Sequence, residues 1–517
     1  MIIHQESRSI ILRSRNPQAI KAIIPKHKDI QWEGHNLAVR HGMDETRILR
    51  NLGIQVPAPI LYYYDWPGKY KPYAHQKQTA AFLTLNPRAF CLNEMGSMKT
   101  ASALWAADYM MKVRQIKRVL VVAPLSTLQM VWMQEIFGVL MHRRAVLLHG
   151  SRERRIELLS NDADFYVINY DGLETIAAHL EGRSDIDLVI VDEAARYRNA
   201  QTNRYATLQR LLGHRKLWLL TGTPCPNAPT DAWGLARLVN KNKVPQYFSQ
   251  WRRQTMLQVS QFKWVPRADS YKMAFEAMQP AIRYKKEDCI DLPPMVTLTR
   301  EVELSDEQKS AYRAMKNRMV LETKGVQITA VHAADQVNKL RQVLCGVVKD
   351  TTTGEYMPLD FGPRVAVLKE CIEEASAKVL VVVPFKGIIE PLRKEVAKDC
   401  TVEVVNGDVS FTKRTDIFTR FKTAADPHVL LCHPDVMSHG LNLTEADTLV
   451  FYAPIYSNEL YQQVQERFNR SGQTRKMTVM RLGSGFLEWE IYKMVDNKAE
   501  TEQNILTLYK REVEGVE

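Results

Sequence analysis

The sequence predicts an α/β fold with two doubly wound parallel sheets in tandem. The first observation is a series of short apolar segments, each followed by helix-compatible sequence: RAFCLN, RVLVVAP, DFYVINY, DLVIVDE and KLWLLTG. The second is a similar series further along the chain: AKVLVVVP, TVEVVNG, HVLLCHP, TLVFYAP and MTVMRL. Strands that alternate with helices are typical of parallel sheets covered on both faces. The third is the length of 517 residues, which is too great for a single core.

Composition and charge limit the class of protein. Hydrophobic residues make up 45% of the chain and charged residues 25%, which is typical of a globular protein and argues against disorder. The net charge of +12 suits a polyanionic partner such as nucleic acid, although a solvated surface can carry the same charge. The seven cysteines are scattered singly without a C-x-x-C pair, which argues against a zinc site and favours a reducing compartment.

The start of the chain lacks the order of a signal peptide, in which a basic region precedes an apolar one. No apolar run reaches the length that spans a membrane. We therefore expect a soluble protein of the cytoplasm or nucleoid that is not secreted and has no membrane partner.

Four domains are predicted along the chain. Residues 1–70 form a small α+β accessory domain, which has ten Lys and Arg against six Asp and Glu. Residues 71–240 form the first lobe, 241–360 a helical connection and 361–517 the second lobe. The segment VPAPILYYYDWPGKYKP carries four prolines and clustered aromatics, and is predicted to be a linker. The positive charge of the first domain suggests an additional DNA contact, and the aromatic segment equally suggests a docking face for a protein partner.

The segment NEMGSMKT, after the first strand of the first lobe, has the outline of a phosphate-binding loop. Loop amides would hold phosphates, Lys99 would neutralise them, and Thr100 would ligate Mg²⁺ at a helix N-terminus. An ordinary strand-turn-helix with a surface lysine is the alternative. Asn93 and Met98 stand where the common pattern G-x-x-x-x-G-K-[ST] has glycines. A side chain at position 98 is expected to be compatible with the loop only at negative φ, which predicts reduced nucleotide affinity. The predicted loop residues are Met95, Gly96, Ser97, Met98 and Lys99.

The segment LVIVDEAARYRN delivers Asp192 and Glu193 from an apolar strand into a loop. In metal-assisted phosphoryl transfer one carboxylate holds Mg²⁺, and another orients or deprotonates the attacking water. An isolated V-D-E is more often a solvated turn. Paired with a Lys-Thr loop upstream in the same sheet, it indicates a nucleotide hydrolase.

Two further segments extend the predicted site. WLLTGTPCPN places the hydroxyls of Thr221 and Thr223 at a strand end, where they can relay between a nucleotide site and a neighbouring lobe or simply form a turn. In QQVQERFNRSGQT, Arg467 and Arg470 lie three apart on a predicted helix and therefore on one face. This pair is either a surface charge cluster or a pair of arginine fingers that stabilise charge on the transferred phosphate.

These segments occur in the order of the superfamily-two helicase motifs, and the chain resembles the Swi/Snf family of DNA-translocating ATPases. The specific similarities are EMG before the Lys-Thr pair, TGTP followed by Pro226 and Asn227, GLNL at 440–443, and the segment from Gln463 to Gln473. The resemblance covers about residues 70–485 and is strongest to compact bacterial and viral members, for which host cytoplasm is a further expected location.

The resemblance implies two RecA-like lobes with ATP and Mg²⁺ between them and a nucleic-acid strand across the top. Gln76 would recognise the adenine edge, with Tyr73 or Tyr70 stacked on the ring. Gly440 and Asn442 would lie in the segment that links the nucleotide state to strand contact, and we assign both to the nucleotide site. The predicted nucleic-acid-binding residues are Pro124, Ser126, Thr127, Asn169, Tyr170, Thr221 and Thr223. The predicted catalytic residues are Lys99, Asp192, Glu193, Arg467 and Arg470, and the predicted metal ligands are Thr100 and Asp192.

Three functions fit these motifs. The first is a monomeric ATP-driven translocase that moves along double-stranded DNA and remodels protein–DNA complexes or branched DNA. The second is a helicase that separates or anneals strands, which needs a wedge element that the sequence does not reveal. The third is a nucleotide-gated DNA-binding switch with little turnover, favoured by Met98 and by Ala195, which replaces the family histidine. Because every predicted catalytic group is retained, the sequence favours an active ATPase over a decayed site.

Overall fold

The first of two structural units begins with a small α+β domain. A computed structural model of the chain describes residues 1–24, 27–94, 96–222, 224–225, 228–260, 264–285, 289, 295–323, 330–350, 354–437, 443–469, 473 and 475–497. The units are Met1–Ile290 and Asp291–Glu517. Among the described helices, none is both long and apolar enough to cross a bilayer.

An antiparallel sheet with the order β1-β2-β4-β3 forms the N-terminal domain of the first unit. Its elements are β1 (Ile2–His4), β2 (Ser9–Leu12), α1 (Pro17–Ile23), β3 (His27–Trp32), β4 (His35–Arg40) and α2 (Met43–Asn51). Apolar residues of β2 pair with those of β4, Ile10 opposite Val39 and Leu12 opposite Leu37, and all four are buried. The sheet and its two helices confirm the small α+β domain that the sequence predicts at the start of the chain. β1, β3 and β4 give a weak signal in the sequence, because their side chains are mostly polar or partly exposed.

The first lobe follows in the same unit. Its strands are β5 (Arg88–Cys91), β6 (Arg118–Ala123), β7 (Ala145–Leu147), β8 (Phe165–Asn169), β9 (Ile186–Asp192), β10 (Lys216–Leu220), β11 (Met256–Gln258), β12 (Trp264–Pro266) and β13 (Ala281–Ile282). Its helices are α3 (Ile60–Tyr63), α4 (Ala74–Leu85), α5 (Lys99–Lys112), α6 (Gln134–Val139), α7 (Arg152–Leu159), α8 (Tyr170–Thr175), α9 (Ala177–Glu181), α10 (Asn203–Leu212), α11 (Ala232–Asn240), α12 (Phe248–Thr255) and α13 (Ser270–Ala277).

Parallel strands form the main sheet of this lobe, in the order β13-β5-β10-β9-β6-β8-β7 within the described residues. Alternate residues of β6 face opposite apolar layers: Val119 and Val121 belong to one buried cluster, Leu120 and Val122 to the other. Burial on both faces explains why these strands are continuous apolar runs. All five strands predicted for the lobe are confirmed, and the edge strands β7 and β13 are additional.

The aromatic segment after the N-terminal domain belongs to the core of the first lobe, so the prediction of a linker is wrong. Ile60 and Tyr64 are buried in the cluster beneath the sheet, and the rings of Trp66 and Tyr70 meet the Trp105 ring edge to face at 5.8 and 5.9 Å. Burial of large aromatic side chains in such a cluster is more favourable than their exposure to water in a linker. The prolines shape the segment but do not keep it in solvent.

The second unit contains another parallel sheet, with the order β14-β21-β20-β17-β19-β18 within the described residues. Its strands are β14 (Met295–Glu301), β15 (Val347–Lys349), β16 (Tyr356–Pro358), β17 (Lys378–Val382), β18 (Val402–Val405), β19 (Val429–Cys432), β20 (Ala446–Phe451) and β21 (Met477–Gly483). Its helices are α14 (Asp306–Thr323), α15 (Ala330–Leu344), α16 (Gly362–Glu373), α17 (Lys386–Val396), α18 (Phe411–Thr423), α19 (Pro434–Met437), α20 (Asn458–Phe468) and α21 (Gly485–Asp496).

The five strands predicted for the second lobe are confirmed as β17 to β21, so the chain contains two parallel α/β sheets in tandem as predicted. Residues 241–360, predicted to be a helical connection, contribute one strand to each sheet, β13 to the first and β14 to the second. Most side chains of β14 are exposed, so the segment lacks the apolar run that marks a buried strand.

A buried ion pair joins two helices and two strand ends of the second unit. Arg364 on α16 and Glu488 on α21 are both fully buried, with Nη2 and Oε2 2.5 Å apart. Arg364 also donates to the Tyr452 carbonyl at 2.6 Å and to the Ser484 hydroxyl at 2.8 Å. Since Tyr452 follows β20 and Ser484 follows β21, the guanidinium holds two strand ends together.

Glu488→Gln should destabilise the protein by about 3–5 kcal/mol, because it leaves the buried Arg364 charge without its partner. Urea-induced unfolding followed by circular dichroism measures the loss. The matched control is Glu390→Gln, which breaks a pair with Arg393 whose side chains are 38% and 58% exposed and should cost about 0.3–0.5 kcal/mol. Equal losses in the two variants would contradict the importance of the buried pair.

Candidate active site

The carboxyl ends of the central strands lie in one row at an edge of the first-lobe sheet. Leu220, the last residue of β10, pairs with both Cys91 and Asp192, the last residues of β5 and β9. On the next pair of strands, Ala123 at the end of β6 pairs with Asn169 at the end of β8. Ligands of open α/β sheets bind beyond such strand ends. The register therefore brings the five predicted motifs of the first lobe to one edge.

The loop between β5 and α5 contains two left-handed residues, Gly96 with φ of 80° and Met98 with φ of 55°. The expectation that Met98 needs a negative φ is therefore wrong. Met98 immediately precedes the first residue of α5 and turns the chain into the helix in a conformation that glycine adopts more readily. A residue other than glycine in the left-handed region costs about 1–2 kcal/mol of conformational free energy, and the surrounding contacts must offset this cost.

Two neighbouring side chains of α4 form hydrogen bonds with the backbone of this loop. Gln76 is fully buried, accepts from the Tyr73 N–H at 2.9 Å and donates to the Met98 carbonyl at 3.4 Å. His75 forms a hydrogen bond from Nε2 to the Ser97 carbonyl at 3.0 Å. Burial lowers the pKa of His75, so the neutral ring donates this bond. These hydrogen bonds fix the backbone at Ser97 and Met98, and with it the orientation of the amide groups in the loop.

The aromatic candidates for stacking on an adenine differ in their surroundings. Tyr73 is 46% exposed and stacks on His75 with ring centroids 5.8 Å apart. The Tyr70 hydroxyl donates to Glu135 and its ring meets Trp105. Tyr73 is thus the more accessible of the two, and adenine recognition by Gln76 stays a prediction.

Asn93 ties the loop to a segment far along the chain. Its Nδ2 donates to Thr79 Oγ1 at 2.9 Å, and its Oδ1 accepts from the Tyr284 N–H at 3.1 Å. An aspartate at this position could accept the second bond but could not donate the first, so the two contacts together require the asparagine amide. Tyr284, which sequence reasoning missed, lies with its ring 6.0 Å from that of His75.

The loop presents groups suited to a phosphate. Lys99 is 8% exposed, and its Nζ donates to the Asn93 carbonyl at 3.3 Å. Among the described residues, the buried Ser97 hydroxyl has no hydrogen-bond partner. Both groups lie where α5 begins, and the first amides of a helix attract anions. Thr100, half-buried, follows in the first turn. This donor set fits an anionic ligand such as a nucleotide phosphate.

Asp192 ends β9 and is 7% exposed. Its Oδ1 accepts from the Glu193 N–H at 3.0 Å, and its Oδ2 accepts from the Trp132 indole at 3.0 Å. Burial and then the Glu193 charge raise the pKa of Asp192, whereas Lys99 and the indole oppose the shift. Glu193 has φ of 47° and turns the chain away from the strand.

The described residues predicted to contact nucleic acid begin directly after three other strands. Pro124 and Thr127 follow β6, and the Thr127 hydroxyl donates to the Pro124 carbonyl at 2.9 Å. Asn169 is buried and accepts from Arg155 at 3.0 Å, and the Tyr170 hydroxyl donates to the Asp192 main-chain oxygen at 2.8 Å. Thr221, buried after β10, donates its N–H to the Cys91 carbonyl at 3.1 Å. Their contact with nucleic acid stays a prediction.

In the second unit, α20 carries the buried Arg467 and Gln463. The carbonyl of Arg467 accepts from the Leu443 N–H at 3.3 Å, and Gln473 Nε2 donates to the Ala446 carbonyl at 2.8 Å. Five predicted site residues lie outside the described residues, as does the side chain of Ser126: Met95, Thr223, Gly440, Asn442 and Arg470.

Sequence reasoning missed His75 and Trp132 as residues that hold the site. His75 precedes the predicted Gln76, and Trp132 follows the predicted Thr127, but a single sequence does not show which side chains turn towards the loop or towards Asp192. Trp132 lies in a π-helical turn, Leu128–Met133, whose phase differs from that of an α-helix. The periodicity of an α-helix therefore does not apply to this turn.

Comparison with known proteins gives two consecutive family matches. Residues 75–348 match the model of the SNF2-related domain, and residues 363–472 match that of the helicase conserved C-terminal domain. Protein p41 of Acyrthosiphon pisum secondary endosymbiont phage 1 is 26% identical over 402 residues, which cover 74% of this chain and 85% of the phage protein. An uncharacterized ATP-dependent helicase of Mycoplasma genitalium is 24% identical over 399 residues, which cover 75% of this chain but 37% of that protein.

One solved structure with partial similarity is the Sulfolobus solfataricus SWI2/SNF2 ATPase core in complex with dsDNA. It is 19% identical, covers 87% of this chain and 98% of its own, and gives a TM-score of 0.40. This chain therefore spans most of the phage protein and of the solved core, but about a third of the Mycoplasma protein.

Met98→Gly should raise the free energy of unfolding by about 1 kcal/mol, because glycine relieves the left-handed strain but adds freedom to the unfolded chain. ATP affinity should stay within about twofold of wild type, because the loop already has a backbone that glycine favours. Chemical denaturation and titration with a fluorescent ATP analogue measure the two effects.

Arg114→Gly is the matched control, since Arg114 also has a left-handed φ of 59° but is exposed after the end of α5. It should gain similar stability without any change in nucleotide binding. A tenfold or larger gain in ATP affinity for Met98→Gly alone would show that the methionine itself weakens the loop.

Proposed function

The chain belongs to the SNF2-related family of DNA-dependent ATPases, and on that basis we propose that it is a translocase that uses ATP to move along double-stranded DNA. It would remodel protein–DNA complexes or branched DNA without extensive strand separation. The observation that carries the proposal is the single sheet edge at which the Lys99 loop, the Asp192–Glu193 pair and the segments after β6 and β8 all begin. A nucleotide site and a strand-binding site that share one edge can influence each other.

The roles of the nucleotide-site residues follow from their chemistry. The amides of the loop and the Lys99 ammonium would bind the β- and γ-phosphates of ATP. Thr100 and Asp192 would hold Mg²⁺, which supplies positive charge against the transferred phosphate. Glu193 would orient or deprotonate the attacking water. This assignment is supported by the buried Lys99 and by the buried Ser97 hydroxyl, which has no hydrogen-bond partner within the part of the chain that the structure describes.

Contacts to phosphate oxygens position a duplex without reading its sequence. We propose that Pro124, Ser126, Thr127, Asn169 and Tyr170 form such contacts in the first lobe, with Thr221 and Thr223 between them and the nucleotide. The N-terminal domain, from β1 to α2, would extend the DNA surface or dock a protein partner. The protein would act as a monomer.

The nucleotide-gated switch is not favoured, because its first argument was the loss of a loop glycine. Met98 adopts a left-handed conformation that glycine favours, which weakens the argument from this position. The strand-separating helicase remains the rival that experiment must distinguish.

A strand-displacement assay tests the translocase. With ATP, the protein should release the third strand of a DNA triplex, and it should leave a duplex of equal length paired. Glu193→Gln should bind ATP but release nothing, since the group that activates water is lost. Separation of the duplex strands by the wild-type protein would favour a helicase, and absence of both releases would contradict translocation.

Arg467→Lys and Arg470→Ala should each lower DNA-stimulated ATP turnover by about 10³-fold or more if they act as arginine fingers. Duplex affinity, measured by fluorescence anisotropy, should be retained. Arg420→Ala is the control, because Arg420 lies on α18 of the same unit, is 43% exposed and pairs with Glu403 and Asp416. Normal turnover in both finger variants would refute the assignment.

A further inference from the structure

A tryptophan from the segment that follows β6 reaches the carboxylate at the end of β9. Leu125–Thr127 form a 3₁₀ turn, and Leu128–Met133 continue it as a π-helical turn. Trp132 in that turn is fully buried, and its indole N–H donates to Asp192 Oδ2 at 3.0 Å. π-helical turns insert one extra residue into a helix and occur frequently at functional sites. The segment predicted to contact one nucleic-acid strand is therefore bonded directly to Asp192.

A tyrosine from the segment that follows β8 reaches the same residue from another side. Tyr170 is buried, and its hydroxyl donates to the main-chain carbonyl of Asp192 at 2.8 Å. Burial raises the pKa of this hydroxyl, so it remains a donor. Its neighbour Asn169 is held by Arg155, whose Nη1 also donates to the Leu148 carbonyl at 2.5 Å.

Every oxygen of Asp192 is thereby engaged. Oδ2 accepts from Trp132, Oδ1 accepts from the Glu193 N–H at 3.0 Å, and the main-chain oxygen accepts from Tyr170. Glu193 follows in a left-handed conformation. A shift of either donor changes the direction of the Asp192 side chain or the path of the backbone that carries Glu193. Two segments can therefore set the geometry of both carboxylates.

We propose that Trp132 and Tyr170 are positioning residues through which strand contact after β6 and β8 sets the orientation of Asp192 and Glu193. DNA binding would thus be transmitted to hydrolysis inside the first lobe, through two buried hydrogen bonds. The inference rests on the proposed function, since it requires that DNA stimulates ATP turnover. Trp132 needs no contact with ATP or DNA, and the Tyr170 hydroxyl acts through Asp192, separately from the DNA contact proposed for that residue.

The test compares Trp132→Phe and Tyr170→Phe, which remove one donor each and keep the ring. The ratio of DNA-stimulated to basal ATP turnover should fall about tenfold in each variant, because a hydrogen bond to a charged or buried acceptor is lost. The KM for ATP should change less than the ratio in both variants, and the Kd for duplex should change less than the ratio in Trp132→Phe. A merely structural role would lower the melting temperature and leave the ratio unchanged.

Matched controls lose an equivalent buried donor elsewhere in the lobe. Trp218→Phe removes a fully buried indole that donates to the Asn86 carbonyl at 3.1 Å, at the opposite edge of the sheet. Tyr205→Phe removes a buried hydroxyl that donates to the Gly234 carbonyl at 3.1 Å. Both controls should retain the wild-type ratio, whatever stability they lose.

A second measurement needs neither nucleotide nor DNA. In thermal unfolding, Trp132→Phe and Asp192→Ala should be non-additive when combined, because they remove the two ends of one hydrogen bond. Trp218→Phe combined with Asp192→Ala should be additive. Additive losses for the first pair would overturn the contact on which the proposal depends.

The failures of the two proposals are distinguishable. If duplex DNA does not change ATP turnover by the wild-type protein, both the proposed function and the proposed coupling are overturned. If DNA stimulates the wild type normally and stimulation is unchanged in Trp132→Phe and Tyr170→Phe, only the positioning role is overturned. The same holds if stimulation falls equally in Trp218→Phe.

Discussion

The parallel register of the first-lobe sheet is the constraint on which the candidate site depends. Leu220 pairs with both Cys91 and Asp192, and Ala123 pairs with Asn169, so the loops after all five strands leave the sheet at one edge. A slip by one residue would turn each strand's side chains to the opposite face, because they alternate. Apolar layers buried on both faces oppose such a slip. Groups separated by about a hundred residues of sequence are thereby held beside one ligand site.

Two residues at this edge, Met98 and Glu193, hold left-handed backbone conformations without being glycine. Each costs about 1–2 kcal/mol and persists because local contacts hold it. For Met98 the contact is Gln76 on its carbonyl, and for Glu193 it is the bond from its N–H to Asp192. The shape of a phosphate loop can thus outlast the loss of its glycine. A missing glycine in the sequence pattern does not by itself indicate a decayed site.

Much of the fold follows from the sequence, because strands buried on both faces are continuous apolar runs bounded by turn residues. The ten predicted strands of the two lobes are present for this reason. β13 is too short, and β14 too exposed, to give such a signal. The prolines of the aromatic segment around Tyr64 predict a linker. The segment nevertheless packs into the core, because burial of its aromatic rings is favourable. Motif spacing indicated Lys99, Asp192 and Glu193, whereas the hydrogen bonds of Trp132, His75 and Asn93 depend on side-chain directions that tertiary packing sets.

Buried polar contacts occur at strand ends in both units, but their surroundings suit different purposes. Backbone groups lose their ladder partners where a strand ends, so side chains such as Arg364 and Tyr170 replace those partners there. In the second unit the Arg364–Glu488 pair is sealed from solvent and includes both charges, so it can act only as a fixed joint. In the first unit the charges of Lys99 and Glu193 act on the Asp192 carboxylate. Its hydrogen-bond donors, the Trp132 indole and the Glu193 N–H, are neutral. A charge held by neutral donors can still bind a cation, whereas a charge already neutralised by a buried arginine cannot. Polar groups at strand ends therefore suit a candidate ligand site in the first sheet and a fixed joint in the second.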